Sequence, residues 1–156
     1  MISKLHNLPY RNGVGVMLVN KNKKIFVGKR IDNRSAWQMP QGGIDANENP
    51  IDAVKRELKE ETGISSITII KKSKKIYTYD LPDYLLGKIW KGKFKGQKQI
   101  WFLALFTGKD EEIDLDQKNP EFKKWKWANI DELSDLIVPF KKKLYQELVD
   151  EFKSFI

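Results

Sequence analysis

Apolar and polar positions follow different rhythms in different parts of the chain. "GVGVMLVN" (13–20) and "KIFVGKR" (24–30) are apolar, β-branched runs separated by polar "KNK", a pattern that predicts a strand pair. A short extended piece at "AWQMP" leads into a turn at Gly42 and Gly43. From Pro50 to Glu61 the period changes, because Ile51, Val54 and Leu58 recur at spacings of three and four, which predicts a helix. Pro50 suits the first helical turn, where its missing N–H costs no hydrogen bond. Gly63 is a stop signal, since glycine readily takes the left-handed conformation that ends helices.

Further along, "ITIIKKSKKIYTYDL" (67–81) reads as a long strand with a basic interruption. "KQIWFLALFTG" (98–108) is a buried strand, and "FKKWKWAN" (122–129) is another. The interval 82–97 has no clean period and reads as a long connection. "NIDELSDLI" predicts a short helix with Asn129 as N-cap. "PFKKKLYQELVDEFKSFI" closes the chain as a helix whose Leu144, Leu148 and Phe152 share one face. Most connections are too short for parallel crossovers. The fold class expected is α+β, a mixed sheet with helices packed against it, in one domain over 1–156 without internal repeats or linkers.

Composition narrows the chemistry. The 156 residues suffice for one sizeable core. The net charge of +8, from 29 Lys and Arg against 21 Asp and Glu, favours polyanionic partners. The absence of cysteine excludes disulfides, thiolate metal sites and cysteine nucleophiles. A single histidine, His6, argues against histidine-based catalysis or zinc binding. No run of about 18 apolar residues exists, and "MISKLHNLPY" lacks a signal-peptide core, so a soluble, cytoplasmic protein with no membrane partner is expected.

One feature works against local stability. Glu57, Glu60 and Glu61 crowd one arc near the end of the predicted helix. Like charges at i, i+4 are unfavourable there, and a helix C-terminus disfavours anions further. A solvated charged face would account for such a run. The surrounding Gly-Gly turn, Glu48, Arg56 and closing glycine favour a site instead. Oxygen ligands without His or Cys select a hard cation, Mg²⁺ or Mn²⁺, which also binds phosphate oxygens.

The spacing Gly42-x5-Glu48-x7-Arg56-Glu57-Leu58-x-Glu60-Glu61-x-Gly63-Ile64 resembles the complete box of Nudix hydrolases, which cleave nucleoside diphosphates linked to another group. The resemblance implies an α/β/α sandwich around a mixed sheet. It also implies Glu57, Glu60 and Glu61 as metal ligands, with Gly42 among the metal contacts and Glu48–Arg56 as a supporting ion pair. Asn47 departs from the pattern, since close relatives carry Gly there. Asn tolerates left-handed backbone better than most residues.

"WQMPQGG", "GQKQIWFLALF", "NPEFKKWKW" and "PFKKKLY" together resemble the bacterial RNA pyrophosphohydrolase branch, which includes dinucleoside polyphosphate hydrolases. By that likeness Glu121 joins the catalytic and metal-binding set, Arg30 and Phe140 clasp a base, and Arg11, Lys98 and Lys141 contact phosphate or backbone. On the residues alone, Glu121 is a polar loop residue and Phe140 is core. The implied activity is metal-assisted removal of pyrophosphate from the 5′-triphosphate end of RNA, promoting mRNA decay, with Mg²⁺ or Mn²⁺ as cofactor. The implied protein is a monomer that does not act on DNA. Diadenosine tetraphosphate hydrolysis is the alternative, and a non-catalytic RNA- or nucleotide-binding module is a remote third.

Overall fold

The computed structural model describes residues 2–32 and 36–156. Its centre is a parallel pair, β1 (Tyr10–Val19) and β7 (Gly96–Phe106), aligned from Tyr10↔Gly96 to Val19↔Leu105. All other pairings among the described strands are antiparallel. Beyond β1 lie β2 (Ile25–Arg30), β3 (Trp37–Gln38) and β4 (Gln41–Gly43), and β8 (Phe122–Ala128) pairs with β2. Beyond β7 lie β5 (Ile67–Lys72) and β6 (Tyr77–Asp80) in succession. The basic interruption "SKKI" is thus a break between two strands that share one neighbour. The sheet is mixed, as the short connections predicted.

The long apolar runs reflect burial on both faces. Val14, Val16 and Leu18 of β1 join Phe102 and Ala104 of β7 against Ala53, Val54 and Leu58 of helix α2 (Pro50–Thr62). The alternate residues Met17, Val19, Trp101 and Leu103 face Leu144, Tyr145, Leu148 and Phe152 of the closing helix α4 (Lys142–Phe152). Two cores on one sheet make the α/β/α sandwich. Helix α1 (Ile2–Leu5), which the sequence pattern did not signal, and helix α3 (Leu133–Leu136) are single turns. Asn129 is the N-cap, as expected, in a capping box with Glu132, whose carboxylate accepts from the Asn129 N–H at 2.9 Å; Lys24 also donates to the Asn129 side chain.

Two details position the site. A register shift between Lys29 and Arg30 leaves Lys123 of β8 as an extra residue, placing the bulge where β2 ends. Just past it, the Ile31 N–H donates to the Glu121 carbonyl at 2.9 Å, joining the end of β2 to the loop before β8.

Candidate active site

The loop before α2 is built to present that helix. Asn47 adopts φ +64°, the left-handed conformation in which Asn substitutes for Gly. Asn49 caps the helix, its side-chain oxygen accepting from the Asp52 N–H at 2.9 Å, and Pro50 follows. At the far end Gly63, at φ +75°, donates to the Lys59 carbonyl at 2.9 Å. Arg56 ties the two together. Its Nε and Nη2 grip both Glu48 oxygens at 2.8 and 2.9 Å, and Nη2 also donates to the Gly43 carbonyl at 2.8 Å. This pairing, with the Asp45 N–H donating at 3.0 Å, holds the Glu48 carboxyl down at about 2. The supporting ion pair expected from the sequence is present.

The same guanidinium reaches the clustered glutamates. Arg56 Nη1 donates to Glu57 at 2.8 Å and to Glu60 at 3.2 Å. Glu57 packs against the Gly42 α-carbon so closely that a Cβ built there would overlap the Glu57 carboxyl. Burial raises the Glu57 pKa, and the Arg56 hydrogen bond opposes that rise. Glu60 is exposed. Glu61 is different: only 3% of its surface is accessible, neither oxygen has a donor, and the Glu121 carboxyl stands within hydrogen-bonding reach. Burial drives its pKa well above the usual carboxylate range, and the nearby Glu121 charge drives it further.

Glu57, Glu60, Glu61 and Glu121 line one cleft of about 330 Å³ together with Gln117, Lys118 and Asn119. A second cleft of about 470 Å³, lined by Arg30, Ile31, Asp32 and Pro120, shares Lys118, Asn119 and Glu121 with the first. The four sequence-predicted glutamates therefore meet in one place. Among the described residues no three acidic, His or Cys side chains stand in coordinating arrangement as they are. Arg56 draws Glu57 and Glu60 toward itself. The fit to a hard cation rests instead on Glu61, whose two buried oxygens lack any donor, and on an all-oxygen donor set.

The other predicted residues fall around this centre. Arg30 is engaged in a two-pronged pair with Asp32 at 2.7 and 2.6 Å, a partner that sequence reasoning did not foresee. Phe140 packs on Tyr79 with ring centroids 5.9 Å apart and lines a separate groove beside β6 and α4. Arg30 lines the second cleft and Phe140 this groove, with Lys141 near both: its ammonium is 5.9 Å from the Phe140 ring centroid and feels the Arg30 charge. Lys141 is 7% exposed, its ammonium 4.8 Å from the Tyr79 ring centroid. Burial, reinforced by the Arg30 charge, lowers its pKa to about 7. Arg11 lies against Gly43 and over the Trp90 ring at 5.3 Å, while Lys98 is exposed on β7. Sequence reasoning missed Gln117 and Lys118, which carry no periodic or motif signal. It also missed Tyr79, which alternation along "YTYD" marks only as inward-facing.

The match to the NUDIX domain model spans residues 9–148. An RNA pyrophosphohydrolase of Rickettsia conorii is 56% identical over 156 residues, covering 99% of this chain and 97% of its own. One from Rickettsia bellii is 56% identical with the same coverage. Among solved structures, a Caenorhabditis elegans Ap4A hydrolase complex superposes with TM-score 0.68 at 20% identity, covering 94% of this chain and 99% of its own. The Escherichia coli dihydroneopterin triphosphate pyrophosphohydrolase superposes with TM-score 0.68 at 17% identity, covering 90% and 97%. With the family model matched over most of its length and its box glutamates gathered at the end of α2, this chain belongs to the NUDIX family.

Proposed function

We propose that this chain is an RNA pyrophosphohydrolase, which converts the 5′-triphosphate end of RNA to a 5′-monophosphate and thereby promotes mRNA decay in the cytoplasm. The observation that carries the reading is Glu61, a buried carboxylate with two unpartnered oxygens in a cleft with three other glutamates. An arrangement that costs stability in the protein alone is explained by a cationic ligand. The 56% identity to proteins named RNA pyrophosphohydrolase over nearly the whole chain supports RNA as the substrate class.

Glu57, Glu60, Glu61 and Glu121 would hold Mg²⁺ or Mn²⁺. Such ions neutralise charge developing on phosphoryl oxygens and lower the pKa of attacking water. Glu57 and Glu60 are tied to Arg56, whereas Glu121 has no ion pair among the described residues and borders both clefts. Glu121, which also faces Glu61, is the carboxylate we assign to take the proton of the attacking water, with Glu57 or Glu60 as the alternative. The water oxygen bonds to the α-phosphorus as the α–β anhydride bond breaks, and pyrophosphate leaves. Burial and the Arg30 charge disfavour the ammonium form of Lys141, and an approaching phosphate anion would favour it, so the residue would bind phosphate as a cation.

The test is side-by-side turnover of 5′-triphosphate RNA, 5′-diphosphate RNA and diadenosine tetraphosphate, with Mg²⁺ and with chelator. The expected result is highest kcat/KM on triphosphate RNA, pyrophosphate as product, and no turnover with chelator. A preference for diadenosine tetraphosphate, giving ATP and AMP, overturns the substrate assignment. Turnover that survives chelation overturns the mechanism.

A further inference from the structure

The connection between β6 and β7 carries features that the active-site chemistry does not use. From Tyr84 to Gly108 the chain has no acidic residue, yet Lys88, Lys91, Lys93, Lys95 and Lys98 fall within eleven positions. Among the described residues none of the five has a carboxylate partner. Lys95 sits over the Tyr10 ring at 4.6 Å, and the other four are exposed. Five unpaired cations in so short a segment repel one another unless an anion lies across them.

The backbone of the same segment is strained. Trp90, Lys91 and Gly92 lie in succession at φ +50°, +57° and +69°. Left-handed backbone is unfavourable for non-glycine residues, and most of all for a bulky one such as Trp. Such a conformation persists where the surroundings fix it. Here Leu86 is buried, and Leu85, Ile89 and Trp90 pack against the α4-side core. The Gly92 N–H donates to the Ile89 carbonyl at 2.9 Å, and Phe94 meets the Trp90 ring edge at 6.4 Å. The strain holds a half-exposed indole over Arg11, which lies against Gly43. Gly43 in turn accepts from Arg56, the clamp of the glutamate helix. The lysine segment is thus joined to the active-site loop through two side chains.

We propose that the segment Lys88–Lys95, with Trp90 at its centre, binds the body of a single-stranded RNA downstream of the 5′ end being hydrolysed. The chemistry is that of single-strand binding generally: a cationic track for the backbone and an aromatic ring for a base. This inference rests on the reading of the active site as one that acts on RNA ends. A substrate with no chain beyond its phosphates has no use for the track.

The test compares the wild type with a variant carrying Lys88→Ala, Lys91→Ala and Lys93→Ala together. Substrates are a triphosphorylated dinucleotide and a triphosphorylated, unpaired 12-mer. The wild type should show a lower KM for the 12-mer, and the variant should lose that advantage while turning over the dinucleotide as before. Binding is read separately with a 5′-hydroxyl 12-mer, which offers the active site no phosphate chain. The slope of log affinity against log salt should fall in magnitude by about 2 for three lost phosphate contacts on a single strand. The same RNA should quench tryptophan fluorescence in the wild type, and quench it less in Trp90→Phe.

Unchanged affinity and salt slope in the triple variant overturn the proposal, as does a parallel loss of turnover on both substrates. If the wild type hydrolyses neither substrate but the triple variant still loses 5′-hydroxyl RNA binding, the surface stands and the proposed activity falls.

Discussion

Replacing Glu61 by Gln should stabilise the metal-free protein and abolish its stabilisation by metal. Glu61 is 3% exposed and neither oxygen has a donor, while the charges of Glu121 and Glu57 both oppose its ionisation. An unsatisfied buried polar group costs about 1–3 kcal/mol, and more if charged. The amide is nearly isosteric and is spared the cost of burying or protonating an acid, so a gain of about 1–2 kcal/mol is expected in chelator. For a chain of 156 residues, each kcal/mol moves Tm by about 2–4 °C, so Tm should rise by about 2–8 °C. With Mn²⁺ at about a hundred times its Kd, the wild type should gain about 2.7 kcal/mol by mass action and the Glu61→Gln variant far less. The order of the two melting temperatures should therefore invert between chelator and Mn²⁺, as read by differential scanning calorimetry. A Glu61→Gln variant that melts lower than wild type in chelator would show that the carboxylate is a structural acceptor. Equal metal-induced shifts in both proteins would show that it is not a ligand.

Gly42→Ala should lower kcat by at least about a hundredfold, because the new methyl occupies the position of the Glu57 carboxyl and a misplaced catalytic group has costs of that size; circular dichroism should show the fold retained. Asn47→Gly should leave stability within about 1 kcal/mol of wild type in urea denaturation, since the strain relieved at φ +64° is offset by the added freedom of glycine in the unfolded chain. Lys141→Met should flatten the stability–pH profile. The folded-state pKa of about 7 lies below the ordinary 10.5, so between those values the unfolded chain binds more protons and wild-type stability rises with pH, by at most about 1.4 kcal/mol per unit. A wild type whose unfolding midpoint falls relative to the variant as pH climbs from 7 to 10 would refute that assignment.

The sequence made some features legible because they are local. Helix α2 was readable from its period, its proline and its closing glycine, and all three act as the pattern implied. The long apolar runs were readable as strands, and the structure covers both their faces. Partner choice was not readable. The basic interruption in "ITIIKKSKKIYTYDL" marks where the strand breaks, but nothing in it says that both halves pair with β7, since that depends on the reach of a strand eleven residues long. The box glutamates were located by spacing, but their unequal environments were not, because burial of Glu61 depends on loops distant in sequence. The pairing of Arg30 with Asp32, two residues on, was locally available but carries no periodic or motif signal.

Those unequal environments explain why an acidic cluster at a helix end is tolerable. If Glu57, Glu60 and Glu61 were equally solvated, each would repel the others and the helix end alike. Arg56 compensates two of them by hydrogen bonds, and Glu48 fixes Arg56 in place by gripping its other side. The whole uncompensated cost then falls on Glu61, which is held where solvent cannot relieve it. Concentrating the cost in one buried carboxylate, rather than spreading it over three exposed ones, would make that carboxylate the largest single contributor to affinity for a divalent cation. It also leaves the helix intact in the cation's absence. On this account Arg56 stabilises the fold and limits metal affinity at once, because a cation must draw Glu57 and Glu60 away from it. Releasing Arg56 from Glu60 alone, by Glu60→Gln, should therefore perturb the metal-free fold little while still weakening Mn²⁺ binding in calorimetric titration. If Mn²⁺ binding is indifferent to that change, Glu60 belongs to the Arg56 network and not to the metal site.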